Sequence, residues 1–409
     1  MSTEKSTIRK LSLEFTKDIY KDGIKICLLP GKILLQGCCC WPDSGELYSK
    51  IIGWFLFWNL VVMEVFHAAY VVKNFSNIGD AVGTGATVTT TMEGFVRVYV
   101  MVTKRQVINT ILVKVWKQFW PLNVIEPTKR QQIQRKARLS VLLTSVLFFC
   151  SASSNSLITS TPYVRYHGML LKSVFPFEWN QPFVYEIIYI WQYYSDWFVL
   201  FMINAFDFFF VSLVTVCFLQ FVIIQDVVKF VLSERSRTQR NVIFGRGGES
   251  MSDREMLLKC LEQHKLINGI CNELEECFNI AILIQFFVST SALCAAALIM
   301  QVDFSQFFKM LTFAGAHLAQ LFCYCYVGHQ LSYESTCLAY AIYDCDWHTN
   351  YDRSIRKALV LMIQRSQKVQ SLTAAGVTEL NFTSFVRIMR LSFSFYTLLN
   401  NLLMKTESQ

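Results

Sequence analysis

Seven stretches of about twenty mostly apolar residues recur along this chain, and no other feature restricts its fold as tightly. A helix rises about 1.5 Å per residue, so roughly 20 residues cross a hydrocarbon core about 30 Å thick. Five stretches are clear: Ile51–Val72, Leu139–Thr159, Trp197–Phe221, Cys277–Met300 and Lys309–Gly328. Two are weaker. Ala81–Val102 is rich in Gly and Thr and contains Glu93 and Arg97, and Thr383–Met404 is interrupted by Arg387, Arg390 and two asparagines. Glu93 and Arg97 are four apart, share a helical face and can neutralise each other. Of the 409 residues 53% are hydrophobic and only 17% charged, against about a quarter charged in soluble domains. The expected class is therefore an all-α polytopic membrane protein with seven transmembrane helices.

Charge sets its orientation. Thirty-three Lys and Arg fall in residues 1–50, 103–139, 226–276 and 331–382 or at Arg97, Arg387 and Arg390; only Lys73, Arg165, Lys172, Lys309 and Lys405 fall on the other side. The excess marks the cytosolic face, which puts the N-terminus inside and the C-terminus, after seven crossings, outside. The net charge of +8 forms no patch or arm, so nucleic acid is not an expected partner. This topology is the reverse of a G-protein-coupled receptor's. No Asp-Arg-Tyr ends the third span, no Asn-Pro-x-x-Tyr lies in the seventh, and Tyr351-Asp352-Arg353-Ser354 is a loop sequence.

The fourteen cysteines lie in apolar runs or in cytosolic segments and imply no disulfide framework. Cys38, Cys39 and Cys40 are read as reduced thiols, or as palmitoylation sites beside the first span. Cys345 and His348 lack the second ligand pair of a zinc site, and no cofactor is implied. Gly245-Arg246-Gly247-Gly248 follows no strand, and no nucleophile elbow or catalytic carboxylate pair is present, so no enzyme is expected. Asn74-Phe75-Ser76 is an external glycosylation sequon. Residues 160–182, with Tyr163, Tyr166, Phe175, Phe177, Trp179 and three prolines, read as a lid or an interfacial anchor. Asp253–Glu276 is charged, amphipathic and continuous with the fifth span, which predicts helices extended into a cytosolic bundle. Glu64 and His67 in the first span are read as a structural pair. Three regions follow: a cytosolic tail over 1–50, six transmembrane helices over 51–330, and a cytosolic helix with the seventh span over 331–409.

The last eighty residues carry a resemblance. Ser335, Ala339, Tyr343 and Trp347 are followed by Arg356-Lys357-Ala358-Leu359, Leu361-Met362-Ile363-Gln364-Arg365-Ser366-Gln367-Lys368 and Leu372-Thr373-Ala374-Ala375-Gly376. Phe385 through Ser392-Phe393-Ser394-Phe395-Tyr396-Thr397-Leu398-Leu399 completes an order that resembles the C-terminal signature of insect odorant receptors. Asp207 in the fourth span is a further landmark. The segment 226–276 is much shorter than the co-receptor's second inner loop, so the chain looks like an odour-tuning subunit. Phe395-Tyr396-Thr397 departs from the related gustatory receptors, whose ligand-gated channels for non-volatile tastants are the alternative reading.

The resemblance implies a ligand-gated non-selective cation channel, heterotetrameric with the shared co-receptor, in the plasma membrane of olfactory neuron dendrites. It implies that Leu398, Asn401 and Leu402 line the pore; they form one stripe, in which leucines can dewet the conduit and the amide can replace part of the hydration shell of a permeant cation. A volatile small organic odorant offers few hydrogen bonds and binds by burial, so its pocket should be small and mostly apolar. Candidates are Tyr189, Tyr193, Tyr194, Trp197 and Phe201 near the outer half of the fourth span, Ser151, Ser154 and Ile158 in the third, and Phe313, Ala314 and His317 in the sixth. Tyr189, Tyr193 and Trp197 recur every four residues. The topology is checked by epitope tags: one after Gln409 should stain in intact cells, and one before Met1 only after permeabilisation. The reverse pattern contradicts it.

Overall fold

The computed structural model describes residues 25–42, 47–75, 78–166, 168–349 and 352–407. Eleven α-helices follow one another: α1 (Leu29–Gly37), α2 (Leu47–Lys73), α3 (Ile78–Thr103), α4 (Arg105–Gln118), α5 (Pro127–Tyr166), α6 (Val184–Lys229), α7 (Arg235–Phe244), α8 (Asp253–Val302), α9 (Phe307–Tyr343), α10 (Arg353–Ser366) and α11 (Phe382–Glu407). The only strands among the described residues, β1 (Thr373–Ala374) and β2 (Thr378–Glu379), form an antiparallel hairpin between α10 and α11.

Helices α2, α5, α6, α8 and α9 are long and apolar enough to cross a membrane. Helices α3 and α11, at 26 residues each, have the length but more polar faces; they are the two stretches that were weaker in the sequence. Helix α8 is one unbroken rod of 50 residues, about 75 Å long, more than twice the hydrocarbon thickness. The amphipathic run over Asp253–Glu276 is thus its first half. Its start is fixed by a capping box: the Ser252 hydroxyl accepts from the Glu255 N–H, and the Glu255 carboxylate accepts from the Ser252 N–H at 2.7 Å.

Helix α6 is the axle. Every side chain from Met202 to Phe221 is buried, as expected of a helix that is apolar all round and surrounded by others. Phe206 and Phe210 meet Phe278 of α8 edge to face, and Phe210 stacks on Tyr324 of α9 at 4.8 Å. Residues 25–42, inside the stretch read as a tail, fold onto the same axle. The Ser212 hydroxyl donates to the Cys27 carbonyl at 2.6 Å, and Trp41 packs edge-on against Phe209. Cys38 and Cys40 are buried, and that burial, with the neighbouring thiols, pushes both up to about 12. They are neutral at physiological pH and poor nucleophiles.

The aromatic outer loop is shorter than its sequence suggested, because α5 continues to Tyr166. The remainder is tied down. Leu170 and Leu171 are buried, the Gln192 amide bonds both backbone groups of Leu171, and the Val174 N–H donates to the Phe66 carbonyl at 3.0 Å. The side chains of Tyr163 and Tyr166 lie outside the described residues. The boundary drawn after residue 330 falls within α9.

The break expected over Leu372–Leu380 is the β hairpin, turned by Ala375 and Gly376 at φ of 49° and 73°. Its β1 strand is pinned to α8, where the Thr373 N–H donates to the Glu275 carboxylate at 2.8 Å. The exit packs on α9 so closely that a Cβ on Gly328 would lie 2.5 Å from the Leu380 carbonyl oxygen. Gly328→Ala is therefore expected to destabilise by about 1–3 kcal/mol through overpacking. Gly315→Ala on the same helix, where a Cβ meets nothing within 4 Å, should be neutral or stabilising. Thermal stability of the detergent-purified variants checks this; equal melting for the two contradicts the packing account.

Candidate ligand-binding site

Four helices each turn one face toward an internal cavity. Helix α3 contributes Thr87, Thr90, Thr91 and Glu93; α5 contributes Leu147, Ser151, Ser154, Asn155 and Ile158. From α6 come Asp196, Val199, Leu200, Ile203 and Asn204, and from α9 Phe313, Ala316, His317 and Gln320. The spacings of three and four are those of a single helical face. The cavity has a volume of about 80 Å³, room for more than one water.

Of the residues singled out in the sequence, Ser151, Ser154, Ile158, Phe313 and His317 come together here. The fourth-span aromatics do not. Tyr193, Tyr194 and Phe201 are exposed on the flank of α6, with Trp197 between Tyr193 and Phe201 at ring distances of 6.2 and 6.0 Å. Tyr189 instead donates its hydroxyl to the Thr159 carbonyl at 3.2 Å. The aromatic stripe at a spacing of four and the cavity face at 196, 199, 200 and 203 are adjacent faces of one helix. Ala314 packs beside Phe313 in a small apolar cluster but is not among the cavity residues. The α3 face and Asp196 were not anticipated; an acidic residue immediately before an apolar span was the available signal for Asp196. On α11, Leu398 and Asn401 are exposed, while the side chain of Leu402 lies outside the described residues.

Much of the cavity's polar capacity is already used. Thr90 donates to the Ala86 carbonyl, Ser151 pairs with Asn204, and Thr91 donates to Glu64 of α2. Thr87 lies 3.1 Å from His67 Nε2, so Glu64 and His67 tie α2 to α3 as a structural pair. Five buried polar atoms in the lining keep no partner: Glu93 Oε2, Ser154 Oγ, Asn155 Nδ2, Asp196 Oδ2 and His317 Nδ1. Buried polar groups are normally hydrogen-bonded, so five around one space mark it as a site prepared for a ligand or water.

A charge cluster adjoins the cavity at Glu93 and Gln320. The Arg97 guanidinium reaches Glu93 at 2.5 Å and Asp207 at 2.9 Å. It also donates to the Ile203 carbonyl at 2.8 Å and to Gln285 of α8 at 2.6 Å, and lies over the Phe206 ring. Gln320 donates to both Glu93 and Asp207 at 2.8 Å, and the Tyr324 hydroxyl donates to Asp207 at 2.7 Å. Arg97 lies buried within the bundle and not at its cytosolic end, and the remaining inner Lys and Arg keep the same excess. Among the described residues, no group of three or more His, Cys, Asp or Glu is arranged to hold a metal ion.

Five helices of membrane-spanning length and a cavity enclosed by four helix faces describe an all-α membrane-type bundle. The model of the 7tm Odorant receptor family matches residues 77–393, and the chain belongs to that family, whose members are receptors and not enzymes. It is 28% identical over 170 residues to Odorant receptor 47a of Drosophila melanogaster, a match spanning 40% of this chain and 44% of that receptor. It is 21% identical over 396 residues to Odorant receptor 13a of the same fly, covering 90% and 92% of the two chains. Its fold is similar to the insect olfactory receptor OR5 from Machilis hrabei, solved in complex with eugenol, with a TM-score of 0.76, 12% identity, and coverage of 94% of this chain and all of that one.

Removing the guanidinium strands two buried carboxylates, a loss of about 3–5 kcal/mol. Arg97→Ala should therefore be largely absent from the cell surface. Arg97→Lys should rescue little, because one ammonium cannot span the carboxylates, the amide and the carbonyl that the planar fork reaches. Surface biotinylation checks this, and wild-type levels of Arg97→Ala contradict it.

Proposed function

We propose that this chain is the odour-tuning subunit of a ligand-gated non-selective cation channel, assembled with the shared odorant co-receptor as a heterotetramer in the plasma membrane of olfactory neuron dendrites. Its N-terminus is cytosolic and its C-terminus external. The observation that carries the reading is the internal cavity, whose α9 wall continues toward α11. Helix α9 lines the cavity with Phe313, His317 and Gln320, and holds Asp207 through Tyr324. It then packs Phe322 against Phe382 and Phe385 of α11 at 6.0 and 5.9 Å, and meets Leu380 at Gly328.

A ligand that fits better when α9 is displaced therefore favours a displaced α11, because a ligand shifts a conformational equilibrium only by its differential affinity for the two states. Eugenol in the Machilis hrabei receptor supports a small organic ligand of similar scale. Helix α11 supports the pore: Phe395 and Leu398, three apart on one side of it, are exposed in the single chain, apolar surface that subunit assembly would cover. Leu398, Asn401 and Leu402 then line the conduit.

Co-expression with and without the co-receptor, with G-protein signalling blocked, tests the assembly: odorant-evoked currents should appear only with it. Asn401→Lys places a cation in the path of cations and should lower inward current or divalent permeability at unchanged surface expression. The loss should be partial, because the co-receptor supplies the remaining lining. Unchanged conductance and ion selectivity remove Asn401 from the pore.

A further inference from the structure

Asp196 is the carboxylate of the cavity that no Lys or Arg among the described residues neutralises. Arg97 is committed to Glu93 and Asp207, and among the described residues neither Lys nor Arg forms an ion pair with Asp196. Arg97 thus neutralises two of the three carboxylates and leaves Asp196 over, and the other titratable groups nearby are the imidazoles of His67 and His317. Asp196 Oδ2 has no hydrogen-bond partner, and Asn155 Nδ2 and the buried Ser154 Oγ, lining the same cavity, are likewise unpartnered. Ser154 is 3% exposed and Glu93 2%, so both face the cavity rather than bulk solvent. An isolated buried carboxylate is costly unless a cation with N–H donors meets it.

The remaining walls are hydrocarbon. One turn along α6 from Asp196 lie Val199 and Leu200, then Ile203, with Ile158 and Phe313 across the space. We propose that the cavity takes a small aliphatic amine as its ammonium ion, the nitrogen donating to Asp196 Oδ2 and to Ser154 Oγ and the chain lying against Val199, Ile203, Ile158 and Phe313. This rests on the reading of the cavity as the ligand site. A neutral alcohol of equal length fills the same apolar space but brings one O–H donor and no charge.

Currents from the chain co-expressed with the co-receptor are recorded for primary alkyl amines of increasing length and for alcohols of the same lengths. Amines should be more potent by about tenfold or more, the worth of one charge-assisted hydrogen bond. Asp196→Asn should weaken the amines by a similar factor and the alcohols, which lose no charge pairing, markedly less. Equal or better potency for alcohols, silence toward every amine, or equal shifts of both series in Asp196→Asn overturns the proposal. The amine preference of the unmodified chain decides the matter if that variant does not reach the surface. Ala316→Leu, which fills the cavity, separates the two levels. Loss of all responses with no amine preference in the unmodified chain rejects the amine and keeps the cavity, whereas full responses in Ala316→Leu reject both.

Discussion

The bundle depends on Arg97. Its guanidinium joins α3, α6 and α8 directly, and through Gln320 and Tyr324 it draws in α9. A charge at this depth is tolerable only when paired and hydrogen-bonded on every side, because the surrounding dielectric magnifies both the attraction and the cost of a missing partner. The planar fork meets that demand with partners from separate helices, and Phe206 covers its face. Apolar packing alone would leave long helices free to slide on one another, since lipid is as apolar as their side chains. The cluster fixes their register.

The cavity follows from that register. With α3, α6 and α9 held at Glu93, Asp207 and Gln320, their next turns frame a space that Leu147, Ser151 and Ile158 of α5 close from the far side. The outer loop is anchored at Leu171 and Val174. Gln320 bonds the cluster while lining the cavity, so a ligand touching it perturbs the group that holds α9 in place. That shared residue gives ligand binding a physical route to the helix that packs on α11.

The long helices were legible because a membrane imposes one length and one pattern, and the capping box at Ser252 and the break at Gly376 carry local chemistry that a sequence displays. The cavity was half legible. Ser151, Ser154 and Ile158 stand on one face of α5, as their spacing indicated. The fourth-span aromatics misled because Tyr193 and Trp197 suit a lipid-facing flank as well as a ligand wall, and periodicity does not say which face turns inward. Asp207 was recognised as a landmark and Arg97 as Glu93's neighbour. Their pairing joins residues 110 positions apart, and no local pattern reports a contact of that range. The docking of α1 on α6 was invisible for the same reason.

The central claim is that the space between α3, α5, α6 and α9 is where the stimulus binds. A cryo-electron microscopy structure of the assembled channel with an activating ligand tests it most directly. The account predicts ligand density against Ile158, Phe313 and His317, with α9 displaced relative to the unliganded channel. Ligand density outside this bundle, with the cavity unchanged, would contradict it.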